Sequence, residues 1–154
     1  MHLAFELSFT DLPIDAFLNH YLSAEKFEEL ATECELYAEV PNAKQDDYIR
    51  RLVSGVAGHA AELDTYIEKY AKGWRFERIS LVAAAIMRVA MYEIMYMPDI
   101  PHGAAINEAV ALIERFHGFI KGWNIPRMND DLKVNGWALN SEYFCSIMHE
   151  LRSD

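Results

Sequence analysis

Residues 81–116 read LVAAAIMRVAMYEIMYMPDIPHGAAINEAVALIERF and carry the two most regular apolar patterns of this 154-residue chain. The segment Leu81–Tyr96 is apolar on every side except at Arg88 and Glu93, which is typical of a helix buried on all its faces. Ser80 stands where a helix N-cap is expected, and the two-proline turn MPDIP follows. We predict a central hydrophobic helix here and a second helix beyond the turn, where apolar residues recur at Ile106, Ala109, Val110, Ile113 and Phe116.

The rest of the chain has the same helical period and no sustained alternation of apolar and polar residues that would predict strands. With 52% hydrophobic residues, 7 Gly and 5 Pro, the composition favours a single all-α domain over residues 1–154. Before the central helix we expect an acidic helix at Ser23–Ala38. A long helical stripe from Tyr48 onward should follow it, with a break near Gly58.

Both ends of the chain are less regular. The opening helix, with apolar residues from Leu3 to Phe9, lacks the N-cap and polar first turn that normally begin a helix. We therefore expect that the sequence enters this helix part-way and that a leading segment is missing. The text HGFIKGWNIPRMN predicts an irregular loop at 117–129, and a last helix is expected at 130–151.

The formal net charge of −10 is unevenly distributed. Residues 1–70 hold 14 acidic and 5 basic side chains, whereas residues 71–154 hold 10 and 9. Nucleic acids are bound chiefly by neutralising phosphates with Lys and Arg, so we expect any RNA-binding surface in the second half. The acidic first half favours a basic protein partner, although the carboxylates of the helix at Ser23–Ala38 are interpreted mainly as a solvated face.

Three blocks of the chain resemble the middle of the NusB family: LDTYIEKYAKGWRFERIS, AAAIMRVAMYEIMY and DIPHGAAINEAVALIERF. The resemblance runs from about Tyr48 to Phe116. Its most specific part joins the pattern R-x-A-x-Y-E, at Arg88 to Glu93, with IP-x-x-x-AINEA, at Ile100 to Ala109. The opening residues HLAFELSF are also similar to the first helix of that family.

The resemblance implies two small three-helix bundles packed around the central hydrophobic helix. It also implies a bacterial, cytoplasmic transcription antitermination factor that acts during ribosomal RNA synthesis. Such factors bind boxA-like single-stranded RNA together with the ribosomal protein NusE, as part of the transcription elongation complex. No cofactor and no membrane are implied, and a homodimer is left open because family members differ in self-association. The side of the first helix that contacts the partner corresponds here to Phe5 and Phe9.

In the family, RNA is contacted by an Arg-rich segment at the very N-terminus and by a late K-F-V-N-G element. This chain starts at Met1-His2-Leu3, and its late element has Lys133 followed directly by Val134, Asn135 and Gly136. Basic residues interleaved with aromatics, as around Trp123, suit phosphate contact and base stacking. The expected RNA-binding residues are Arg115, Lys121, Arg127, Lys133 and Asn135. A second basic group, at Lys72, Arg75 and Arg78, flanks Trp74 and Phe76, which we interpret chiefly as core residues.

The motifs of the common enzyme classes are missing from the sequence: there is no G-x-x-x-x-G-K-[ST], G-x-G-x-x-G, G-x-S-x-G or H-E-x-x-H. Cys34 and Cys145 are interpreted as separate thiols, and Cys145 with His149 has no second pair to complete a metal site. We expect neither catalysis nor a metal. Arg88 should instead form a structural ion pair in the core, with Glu93 or with Glu108.

Two other functions compete with an antitermination adaptor. One is the NusB-like domain with which certain cytosine RNA methyltransferases hold ribosomal RNA, although this chain has no room for their catalytic domain. The other is a diverged helical module that binds only proteins, which the charge of −10 favours. RNA binding would exclude the protein-only module, and a catalytic domain encoded beside this sequence would indicate the methyltransferase.

Overall fold

The structure is a computed structural model that describes residues 1–32, 37–70 and 79–122. These residues form six α-helices and contain no strand, which confirms the all-α prediction. A 3₁₀ turn, Leu7–Phe9, follows the first helix directly. The helices are α1 His2–Glu6, α2 Ile14–Tyr21, α3 Ala24–Ala31, α4 Ala43–Tyr70, α5 Leu81–Tyr96 and α6 His102–Gly122.

Helix α5 is the predicted central helix, with the predicted bounds. Its N-cap is Ser80, whose hydroxyl accepts a hydrogen bond from the Ala83 backbone N–H at 3.1 Å. The helix packs against α1, α4 and α6, and half of its 16 residues are buried. Ile86 is only 1% exposed, whereas Val89 is half-buried and Leu81, in the first turn, is 50% exposed. The core of the protein is therefore built around this helix.

Helix α4 joins the two halves of the fold because it is long enough to contribute to both. Near its start, Val53 packs with Phe17 and Leu18 of α2, and Leu52 packs with Ala4 of α1. Further along, α4 contributes Leu63, Ile67 and Tyr70 to the main core with α5 and α6.

The expected break near Gly58 was wrong, because α4 is continuous over its 28 residues. A glycine inside a helix costs only about 1 kcal/mol relative to alanine. The apolar side chains of α4 that lie on either side of Gly58 are anchored in separate parts of the core. Tertiary packing of both ends thus outweighs the local preference for a break.

Two other helix ends also differ from expectation. The acidic helix ends at Ala31 rather than near Ala38. At this end, both the backbone N–H and the hydroxyl of Thr32 donate hydrogen bonds to the carbonyl of Glu29. Helix α6 continues to Gly122, so residues 117–122 are helical and the irregular loop cannot begin at 117. Its helical pattern tolerates two glycines there at about 1 kcal/mol each. The remainder of that loop, the last helix and both cysteines lie outside the described residues.

Helices α4 and α5 approach closely where Gly55 faces Tyr92. A Cβ atom placed on Gly55 would lie 1.9 Å from Tyr92 Cζ and 2.1 Å from its hydroxyl oxygen. The ring has little freedom to retreat, since it also contacts the rings of His59 and Tyr96, with centroids 5.5 and 5.1 Å away. Gly58, on the same helix, has no atom within 4 Å of its Cβ position.

We expect Gly55→Ala to destabilise the protein by about 1–3 kcal/mol, the usual cost of overpacking a core. Gly58→Ala is the matched control, because it adds the same methyl group to the same helix where there is space. It should be neutral or should stabilise by about 0.5–1 kcal/mol through helix propensity. Chemical denaturation followed by circular dichroism measures both. Equal stability of the two variants would show that Tyr92 moves aside at no cost.

Candidate functional site

An aromatic pair is displayed where α1 runs into the 3₁₀ turn. Helix α1 contacts the core through its small residue Ala4, which packs against Leu52 and Met97. The larger side chains of Phe5 and Phe9 are less buried: Phe5 is half-buried and Phe9 is 62% exposed. Their two rings pack edge to face at a centroid distance of 5.0 Å. An exposed ring held by a neighbouring ring is a preorganised apolar contact. We call these two residues the Phe5–Phe9 patch.

Negative charge surrounds this part of the fold. The exposed acidic side chains of the first three helices and their connections are Asp11, Asp15, Glu25, Glu28 and Glu29. Lys26 forms a salt bridge with Glu29, with 2.9 Å between Nζ and Oε2. Exposed carboxylates confirm the expected solvated face of α3 for its described residues. The combination of an apolar patch and acidic surroundings suits a basic protein with an apolar contact residue.

The predicted RNA-binding residues fall mostly outside the described part of the chain. Arg115 lies exposed in the last two turns of α6, and Lys121 belongs to the last turn of the same helix. Six positions on a helix separate two residues by about 120° around its axis, so these two do not lie on one stripe. The structure describes neither the other three, Arg127, Lys133 and Asn135, nor the second basic group around Trp74.

Arg88 does not pair with Glu93 or Glu108, which corrects the sequence prediction. Its guanidinium makes a two-pronged contact with Asp64 of α4, with Nε–Oδ1 at 2.6 Å and Nη2–Oδ2 at 2.9 Å. Positions five apart on a helix are about 140° apart around the axis, so Arg88 and Glu93 face different neighbours. The pair joins α4 to α5.

Glu93 is instead the most buried charged group of the described residues, at 7% exposure. Its carboxylate accepts a hydrogen bond from the hydroxyl of Tyr48 on α4. Burial raises the pKa of Glu93 above its ordinary value of 4.5, while the Tyr48 hydrogen bond acts in the opposite direction. Burial also raises the pKa of Tyr48, so this hydroxyl remains a neutral donor. No sequence spacing could reveal the pair, because 45 positions separate its members.

The raised pKa of Glu93 predicts a pH-dependent stability. The folded state binds this proton more tightly than the unfolded state, so the carboxyl group reduces stability progressively as pH rises above about 4.5. Glu93→Gln keeps an oxygen for Tyr48 and removes the charge. We expect the difference in melting temperature, variant minus parent, to be larger at pH 7 than at pH 4. Glu25→Gln, at an exposed position of α3, is the control and should show no such trend. The prediction would be contradicted if Glu93→Gln and the parent differed in melting temperature by the same amount at pH 4 and pH 7.

A cavity of about 460 Å³ opens beside the Glu93 carboxylate. It is lined largely by apolar side chains from both halves of the fold, together with Tyr48 and Glu108. Within the described ranges, no helix is long and apolar enough to cross a membrane. The same residues contain no group of three His, Cys, Asp or Glu side chains arranged to hold a metal ion.

These features define a class: an all-helical interaction domain with an acidic, partly aromatic first half. The chain belongs to the NusB family, whose family model matches residues 14–122. A second model, described as the ATPase domain of Lon-like protease BrxL-like, matches residues 93–154. That match covers less than half of the chain and lacks the G-x-x-x-x-G-K-[ST] loop that holds phosphates in many ATPases.

Curated relatives agree with the family. A protein named transcription antitermination protein NusB from Natranaerobius thermophilus is 33% identical over 127 residues, 79% of this chain and 84% of the relative. Proteins of the same name from Acetivibrio thermocellus and Listeria monocytogenes are 46% identical over 77 residues and 37% over 84. These two alignments cover 50% and 51% of this chain, and 53% and 66% of the relatives. No solved structure matches the chain.

Proposed function

We propose that this protein is a non-catalytic transcription antitermination factor that joins RNA to a basic protein partner in the bacterial cytoplasm. The observation that carries the proposal is membership of the NusB family over residues 14–122, with relatives named for antitermination. The RNA would be boxA-like and single-stranded, and the protein partner the ribosomal protein NusE. Both would act within the transcription elongation complex.

Partner binding is assigned in this proposal to the Phe5–Phe9 patch. The exposed Phe9 ring supplies apolar contact area, and the acidic side chains of the first half attract a basic protein over long range. Aromatic residues at the centre of an interface commonly dominate its binding energy. Since Phe9 is 62% exposed, it contributes little to the core and can be replaced without unfolding the protein.

RNA binding is assigned to residues from Arg115 onward: the four basic residues Arg115, Lys121, Arg127 and Lys133, together with Asn135. Arg115 supports this assignment because it is exposed and makes no ion pair with another described residue. The arginines of the acidic half are differently placed: Arg50 bonds to Asp46, and Arg51 to Asp47 and Asp99. With so few basic groups available, the protein alone should bind RNA weakly, and the partner should restore affinity.

The test is a titration of labelled boxA-like RNA with this protein at two salt concentrations, with and without the purified ribosomal partner. We expect weak binding alone and tighter binding with the partner. The logarithm of affinity should change with the logarithm of salt by about −0.7 per neutralised phosphate, so a shallow slope is expected for the protein alone. Tight binding that does not depend on the partner would contradict the proposal.

Matched variants separate the two surfaces. Arg115→Gln should weaken RNA binding and reduce the salt slope by about 0.7, whereas Arg51→Gln removes the same charge from an arginine already paired and should change neither. Phe9→Ala should weaken partner binding, whereas Val40→Ala, at an equally exposed position of 62%, should not. Partner binding without any RNA binding would support the protein-only module, which the charge of −10 favours as the second candidate.

A further inference from the structure

The cavity beside Glu93 has no role in the proposed binding of RNA and partner, but its lining is similar to that of a small-molecule site. Four different parts of the fold contribute: α1 and its start, the α2–α3 region, the inner face of α4, and the facing sides of α5 and α6. Its walls are mostly aliphatic and aromatic. The polar groups are few and lie together, as in small-molecule sites of proteins. Among them, the Glu93 carboxylate is the buried one.

The carboxylate of Glu93 is only partly satisfied. One of its oxygens, Oε1, accepts the hydrogen bond of Tyr48, and no other described side chain donates to the group. Every fully enclosed side-chain oxygen or nitrogen of the described residues has a partner, so the second oxygen of Glu93 retains open surface. Glu93 is also one of the residues that line the cavity. An anionic acceptor is thus available inside an apolar chamber.

Among the described residues, one positive charge acts on this acceptor, the Met1 ammonium. Arg88, the basic residue of the same helix, is held by Asp64 on another side of α5. Among the lining residues that the structure describes, only His2 has a basic side chain, and its ring contacts Tyr37 and Glu6. The Met1 amino group lowers the pKa of Glu93 but makes no ion pair with its carboxylate. On the rim, Glu108 adds a second negative charge rather than a compensating positive one.

We propose that this cavity, the Glu93 cavity, is a binding site for a small organic cation that joins an apolar body to one ammonium nitrogen. The apolar body would pack against the walls, and the ammonium would donate to the open oxygen of Glu93. Tyr48 holds the carboxylate in position for this contact. Charge-assisted hydrogen bonds in a desolvated site are stronger than neutral ones, so selectivity for the charged ligand follows.

The size of the cavity suits a small molecule. Its volume of about 460 Å³ lies within the range of about 300–1,000 Å³ that is usual for small-molecule pockets. The cavity is therefore large enough for an arylalkylamine.

The experiment compares two ligands of nearly the same shape, 4-phenylbutylamine and 4-phenylbutan-1-ol, in titrations of the full chain without RNA or partner. Methyl NMR signals of Val89, Ile100 and Leu112, all lining residues, report occupation of the cavity. We expect the amine to bind at least about tenfold more tightly than the alcohol, because its ammonium adds Coulomb attraction to the Glu93 carboxylate, whereas the neutral hydroxyl supplies a hydrogen bond alone.

Two variants test the site. Glu93→Gln preserves the shape of the side chain and an acceptor for Tyr48. It should abolish the preference for the amine, and it should change the alcohol's affinity much less than the amine's. Ala104→Phe places a large side chain at an exposed lining position and should weaken both ligands. The proposal is overturned if amine and alcohol bind equally to the parent, or if the preference survives in Glu93→Gln. It is equally overturned if neither ligand shifts the lining methyl signals, since another segment or a second copy then covers the cavity.

Discussion

Ile86→Ala should lower the free energy of unfolding by about 2–5 kcal/mol, the range found when a large aliphatic side chain is truncated in a well-packed core. Ile86 lies in the middle of α5, is 1% exposed and packs in the main cluster with α4 and α6. Because α5 contacts three other helices, little of the resulting cavity can be filled by local collapse. At this chain length the loss corresponds to roughly 2–4 °C of melting temperature per kcal/mol.

Leu81→Ala is the control for that experiment. Leu81 belongs to the same helix but is 50% exposed in its first turn, so truncation should cost about 0.5 kcal/mol or less. Chemical denaturation of both variants, with the same denaturant slope, gives the comparison directly. A loss below about 1 kcal/mol for Ile86→Ala would mean that α5 is peripheral to the core, against the fold described above.

Arg88→Met should destabilise the protein by about 2–4 kcal/mol. Breaking a fully buried ion pair costs about 3–5 kcal/mol because a charge is left without its partner. Here the two side chains retain 16% and 26% exposure, so solvent screens part of that cost. The same substitution at Arg51, whose ion pairs with Asp47 and Asp99 are exposed, should have a much smaller effect.

The double variant Arg88→Met, Asp64→Leu distinguishes loss of the pair from loss of packing. Removing both charges leaves no uncompensated carboxylate, so the double variant should be more stable than the sum of the two single changes predicts. Denaturation of the four proteins in the cycle gives the coupling energy. Strict additivity would indicate that Asp64 and Arg88 contribute independently of each other.

Several features of this protein could be derived from local sequence. The bounds of α5 follow from an unbroken apolar segment, an N-cap serine and a terminating turn with two prolines, all of which act within a few residues. The family could be recognised from the same region, which holds the patterns R-x-A-x-Y-E and IP-x-x-x-AINEA. The exposed Phe9 could be singled out only through that family resemblance. RNA contacts from Arg127 onward stay a prediction.

Other features depend on contacts between distant segments, and the tertiary structure alone decided them. The partner of Arg88 is 24 positions away, and that of Glu93 is 45 positions away, so neither follows from helical spacing. The continuity of α4 through Gly58 results from anchoring at both ends, which outweighs a local cost of about 1 kcal/mol. The sequence by itself determined that the fold is helical and which helix is central, but not where α3, α4 and α6 end or continue. Packing determined which charges meet, and it left the Glu93 carboxylate facing a cavity, because pairing and burial depend on how helices are placed in space.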